Sequence, residues 1–113
     1  MCTANELNAI LREVAKAYQS AYGAEIVKIL LYGSYARGDY TEESDIDIVA
    51  IVRGERRQLQ DKLDQIWDRA NELELEYETI ISPTVIPYNE YERFREALPY
   101  YRNIKLEGVE VVA

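Results

Sequence analysis

Apolar positions near the start of the chain recur at helical spacing: Leu7, Ile10, Leu11, Val14, Tyr18 and Ala21 share one face. Thr3 followed by Glu6 has the pattern of a capping box, and Gly23 is a natural stop, so a helix is predicted between them. The β-branched and apolar run Ile26 to Tyr32 reads as a first strand ending at Gly33-Ser34. From Gly33 to Ser44 the residues are small, polar and acidic, which predicts a loop with one helical turn. Ile46, Ile48, Val49, Ala50, Ile51 and Val52 predict a second strand that begins inside an acidic cluster and stops near Gly54.

Leu59, Leu63, Ile66, Trp67, Ala70 and Leu73 mark the apolar face of a second helix, with Trp67 in the core. Residues Leu75 to Ile81 then alternate, with Glu76 and Glu78 on one side and Leu75, Tyr77 and Thr79 on the other. The alternation predicts a third strand, interrupted at Ser82-Pro83 and extended by Val85-Ile86. Asn89 and Glu92 predict a further helix, with Tyr91, Phe94 and Leu98 inward and Pro99 as its end. The tail from Tyr100 to Gly108 predicts one more short helix. This order predicts an α/β (α+β) fold: a small mixed β-sheet flanked by helices, as a single domain over residues 1–113.

Composition narrows the chemistry. Thirteen basic residues against 21 acidic ones give a formal charge of -8, the wrong sign for a nucleic-acid groove, so no direct nucleic-acid partner is expected. A phosphate-bearing small molecule fits if a metal cation mediates. Histidine is absent, which removes Ser-His-Asp and Cys-His catalysis and His-ligated zinc. Cys2 is the single cysteine, so no intramolecular disulfide can form. No apolar run is long enough to span a bilayer, so no membrane association is expected and the expected location is the cytoplasm. Chemistry must come from carboxylates, hydroxyls, backbone amides and a few Lys or Arg residues.

Three features converge. Asp45 and Asp47 open the second strand, where residues two apart project from one face about 7 Å apart at the backbone. Two carboxylates this near one another repel, by about 4 kcal/mol at a separation of ~4 Å and an effective dielectric of ~20, and a divalent cation reverses the sign. An all-oxygen donor set favours Mg2+ or Mn2+ over zinc. Gly33 lets backbone amides approach a ligand, the Ser34 hydroxyl can donate to a phosphate oxygen, and Arg37 can add a charged donor. A third carboxylate, Glu78 or Glu76, could act as base or further ligand. Each feature also has a plainer reading: a solvated acidic loop, a tight turn, the wet face of an edge strand. Their combination is more specific than any part.

Ser34 and Asp45 are separated by ten residues, giving G-S-x10-D-x-D within the segment Leu30 to Val49. With Ala36-Arg37-Gly38 and Ser44-Asp45-Ile46-Asp47, this segment closely resembles the minimal nucleotidyltransferases (MNT) of the polymerase-β-like superfamily. The resemblance is strong from Ile26 to Val52, weaker through Leu75 to Ser82, and returns in the tail Tyr101 to Val109. It implies transfer of a nucleoside monophosphate from a nucleoside triphosphate to a hydroxyl, with release of pyrophosphate and ATP as the default substrate. It implies that Gly33 and Ser34 hold the triphosphate and that Asp45 and Asp47 bind two Mg2+ ions. The third acidic position corresponds best to Glu78, where the family more often has Asp, with Glu76 as the fallback.

The chain's size resembles the MNT partners of HEPN ribonucleases in toxin–antitoxin pairs, which implies an antitoxin that adenylylates a tyrosine of its HEPN-type toxin. Two alternatives stand beside it: an antitoxin that neutralises by binding alone, and a transferase for a small hydroxylated molecule. Tyr88, Tyr91, Tyr100 and Tyr101 are either a docking surface or ordinary packing. Arg53, Arg56 and Arg57 are either a contact for an acidic partner or a solvated helix start.

Overall fold

The structure is a computed structural model that describes residues 3–111, so Cys2 lies outside the described residues. Helix α1 covers Ala4–Tyr22 and begins with the predicted capping box, Thr3 and Glu6 each bonding the other's backbone N–H. A single 3-10 turn, Gly23–Glu25, leads into strand β1, Ile26–Tyr32. Helix α2 is one turn, Ser34–Arg37, and strand β2 is Ile46–Val52. Helix α3 spans Arg56–Tyr77, strand β3 Ile81–Pro87, helix α4 Tyr88–Phe94, helix α5 Pro99–Glu107 and the two-residue strand β4 Val109–Glu110.

The four strands form one mixed sheet in the order β3-β2-β1-β4. β1 runs antiparallel to both β2 and β4, while β2 and β3 are parallel, with α3 as the crossover between them. Ile46, Ile48, Ala50 and Val52 of β2 face a core built with Ile10, Val14 and Tyr18 of α1 and Leu63, Ile66 and Ala70 of α3. The alternate residues Val49 and Ile51 face a smaller cluster with Leu30, Ile86, Tyr91 of α4 and Ile104 of α5. The fold class is therefore as predicted, and period-two alternation puts Asp45 and Asp47 on the face shared with α4 and α5.

The third strand differs from the sequence expectation. Residues Leu75 to Tyr77 belong to α3, and the strand begins at Ile81 and runs straight through Ser82-Pro83. Tyr77 follows Leu73 at helical spacing and packs on the same core, whereas Leu75 is 85% exposed. The apparent alternation was the tail of a helical stripe. Pro83 and Pro87 are tolerated in β3 because this strand bonds only β2, so the missing N–H groups interrupt no second ladder.

Three further expectations change. Trp67 is 39% exposed rather than core. α4 stops at Phe94, Leu98 is 43% exposed, and Pro99 starts α5 instead of ending α4, which suits its fixed φ and absent N–H.

Two tyrosines tie helices to the sheet and to each other. The Tyr18 hydroxyl lies against the carbonyl oxygens of Thr84 at 2.7 Å and Ile48 at 3.2 Å, spanning the parallel β2–β3 pair from beneath. Tyr22 donates to the Leu59 carbonyl at 2.6 Å, joining α1 to α3, and burial pushes its phenol up to about 12. Burial raises the Tyr18 phenol well above its ordinary value too, so both are neutral donors at any physiological pH. Tyr18→Phe is expected to cost about 1–2 kcal/mol, read as a lower midpoint in urea denaturation with an unchanged slope.

Candidate active site

The β1–β2 register builds the site. Tyr32, the last residue of β1, pairs with Asp47, so the chain turns at Gly33 directly beside the Asp47 carboxylate. Gly33 has φ +76, and a Cβ there would lie 2.5 Å from Asp47 Oδ2. The φ demands glycine because an L side chain is strained there, and a Cβ would also push the Asp47 carboxylate aside. Ser34 follows as the first residue of α2, half-buried, and Arg37 ends that turn beside Gly38, which is also left-handed at φ +87. Gly33, Ser34, Asp45 and Asp47 are thus gathered where β1 ends and β2 begins.

The return loop is organised by its own polar groups. Thr41 N–H donates to Ser44 Oγ at 2.8 Å, and Ser44 N–H donates to the Thr41 carbonyl at 3.1 Å. Ile46 N–H then donates to the Ile80 carbonyl at 2.8 Å, which fixes Asp45 at the joint between β2 and β3. Asp45 meets Ser82 Oγ at 3.4 Å, and Asp47 is the register partner of Ser82. Ser82 drew no attention in the sequence, because a Ser-Pro pair reads as a break until the parallel register is known.

The segment expected to bring a third carboxylate folds differently. Glu78 stands at the C-cap of α3 with φ 52 and ψ 52, exposed, its N–H bonded to the Glu74 carbonyl. Its left-handed backbone closes a helix, a position that glycine or asparagine usually takes. Glu76 is on α3 and lines the groove between α1 and α3 with Arg12, Lys16, Arg69 and Tyr77, on the opposite side of the sheet from Asp45 and Asp47. Among the described residues no group of three or more His, Cys, Asp or Glu side chains is placed to hold a metal ion. The strand expected to carry Glu78 and Glu76 is corrected: the segment is helix and cap, and the structure shows no contact of Glu78 with Asp45 or Asp47 among the described residues.

Arg37 is close to the site but engaged. Its Nε lies 3.1 Å from Asp39 Oδ2 and its Nη1 3.2 Å from Glu107 Oε1 of α5. These pairs are exposed and contribute little, so an incoming anion can replace them. The Arg53, Arg56 and Arg57 cluster is in part structural: Arg56 pairs with Glu90 of α4, and the Arg53 guanidinium sits 5.4 Å from the Tyr88 ring centre.

Burial and the neighbouring Asp45 charge raise the Asp47 carboxyl above its usual range, and Arg37 only partly offsets them. Two half-buried carboxylates, one of them with its charge disfavoured by the other, beside a backbone with no side chain in the way, form a fitting donor set for a hard divalent cation.

A family model described as "Nucleotidyltransferase domain" matches residues 11–111. Two proteins of Methanocaldococcus jannaschii, each named "Putative protein adenylyltransferase", are similar in sequence. One is 39% identical over 106 residues, covering 92% of this chain and 95% of the relative. The other is 36% identical over 80 residues, covering 71% and 79%. Among solved structures, a toxin-antitoxin with AMP-PNP superposes with a TM-score of 0.56 at 17% identity, over 91% of this chain and 73% of that one. A "putative nucleotidyltransferase from Sulfolobus solfataricus" gives 0.53 at 20% identity, over 94% and 76%. At these identities the structural matches show a shared fold.

Two outcomes follow for the carboxylate pair. Because the Asp47 pKa is raised on folding, the folded chain holds its proton more tightly than the unfolded chain. Stability is therefore lost as pH rises through the raised value. Asp47→Asn is expected to raise the melting temperature near neutral pH by a few degrees, and the gain should vanish at about pH 3, below the ordinary carboxylate range. A gain that persists unchanged in acid would contradict this origin. Gly33→Ala should cost about 1–3 kcal/mol through backbone strain alone and, by displacing the Asp47 carboxylate, weaken Mn2+ binding measured by electron paramagnetic resonance.

Proposed function

Because the chain belongs to the nucleotidyltransferase domain family, in its minimal MNT form, we propose that it transfers AMP from ATP to a tyrosine hydroxyl of a HEPN-type toxin, as the antitoxin of that pair. The observation that carries the reading is the packing of Gly33 against Asp47, with Asp45 on the same face. The backbone at Gly33 and the two carboxylates then lie side by side, as a phosphate and a cation bound together would need. The related chains named as protein adenylyltransferases support a protein acceptor. The toxin-antitoxin structures of the same fold, one holding AMP-PNP, support the antitoxin role and ATP. In this reading the chain acts as a single minimal domain in the cytoplasm; no helix among the described residues is long and apolar enough to cross a membrane.

Gly33 and Ser34 offer backbone and hydroxyl donors to the triphosphate, and Arg37 exchanges Asp39 and Glu107 for phosphate oxygen. Asp45 and Asp47 are the residues that would hold Mg2+, as one or two ions, with Mn2+ as a substitute. Bound there, the cation would neutralise phosphate charge and stabilise an in-line displacement. The acceptor oxygen attacks the α-phosphorus, the bond from that phosphorus to the bridging oxygen breaks, and pyrophosphate leaves. The acceptor's proton passes to solvent. Positioning and charge neutralisation carry the catalysis in this reading.

The test is incubation with α-labelled ATP and Mg2+, with and without the protein encoded beside this one, followed by mapping of the label by mass spectrometry. Label is expected on a tyrosine of the partner and should fall to background when Asp45→Asn is combined with Asp47→Asn. Undiminished transfer by the double variant would overturn the assignment. A stable complex with no transfer would instead favour neutralisation by binding alone.

A further inference from the structure

We propose that Ser82 is a positioning residue for the cation carboxylates, its hydroxyl orienting Asp45 from the β3 place beside Asp47 that a third carboxylate would need. The inference rests on the cation reading of Asp45 and Asp47 and extends it to a residue of a different strand. Two observations carry it independently. The parallel register pairs Ser82 with Asp47, and paired residues of neighbouring strands share a face about 5 Å apart. The Ser82 hydroxyl also donates to Asp45 Oδ2 at 3.4 Å, so one residue bonds one carboxylate and is the register partner of the other.

Two strand hydroxyls that share this face are committed elsewhere. Thr84 Oγ1 donates to the Ile48 carbonyl at 3.4 Å, and the Tyr32 hydroxyl lies 3.2 Å from that of Tyr100. The acidic side chains nearest in sequence are also placed elsewhere. Glu74 receives the Ile81 N–H at 2.9 Å, Glu76 lies in the α1–α3 groove, and Glu78 is on the α3 cap. A donor that orients a ligating carboxylate typically changes metal affinity by about 10–100-fold when removed. A serine does this without adding charge to a pair that already repels.

The experiment is a Mn2+ titration of the full chain followed by electron paramagnetic resonance, with circular dichroism to confirm folding. Ser82→Ala should weaken Mn2+ binding about tenfold. Ser82→Thr, which keeps the hydroxyl and suits a strand, should restore most of it and rule out loss of packing as the cause. Ser82→Asp should bind Mn2+ more tightly than the wild type and alter the Mn2+ spectrum, because it supplies the missing carboxylate. Ser82→Ala binding like the wild type, while Asp45→Asn loses binding, would overturn the role of Ser82 and leave the cation site standing. Equal Mn2+ binding by the wild type and Asp45→Asn would overturn the cation reading and this inference with it.

Discussion

The antiparallel register of β1 and β2 is the constraint on which the chemistry depends. Pairing Tyr32 with Asp47 makes β1 end where β2 enters the sheet, so Gly33 meets a carboxylate rather than solvent. Slipping that register by one residue would turn Asp47 into the α1–α3 core and expose Ile48. The buried run Ile46, Ile48, Ala50 and Val52 forbids the slip, and with it any loss of the site. Core packing and active-site geometry are therefore one constraint seen from two faces of a strand.

The site also holds its charges at a cost. Asp45 and Asp47 are half-buried, burial and the Asp45 charge disfavour ionisation of Asp47, and Arg37 offers only partial relief from an exposed position. The anionic chain as a whole adds to the unfavourable field, with 21 acidic residues to 13 basic. An arrangement of this kind gives up stability, as the raised Asp47 carboxyl records, and the proposed cation would relieve that cost. The tyrosines divide by environment: Tyr18, Tyr22 and Tyr91 are buried structural groups, while Tyr100, 47% exposed, remains on the surface beside Tyr32.

Much was legible in the chain. The helical stripe of α1, its capping box, both long strands and the spacing of Gly33, Ser34, Asp45 and Asp47 were all readable, because each is local: periodicity, capping and turn chemistry act within a few residues. The segment that carries Glu78 resembles a strand for an equally local reason. Over Leu75 to Ile81, apolar and acidic residues alternate by chance, and a short window cannot separate period 2.0 from the end of a 3.6-residue stripe. The Tyr77 contact with the α1–α3 core decides for helix. Pro83 misled in the same way, since a proline argues against a strand unless that strand is known to lie at an edge.

By itself, then, the sequence determined the strand–loop–strand unit that carries Gly33, Ser34, Asp45 and Asp47. That unit depends on residue types at short spacing. The tertiary structure alone decided which third group joins Asp45 and Asp47. That choice depends on the parallel pairing of β2 with a strand lying beyond a 22-residue helix, which sets Ser82 beside Asp47 and leaves Glu76 and Glu78 on α3 and its cap. Register between strands so far apart in sequence is a property of how two helices cover one sheet face, and no local pattern encodes it.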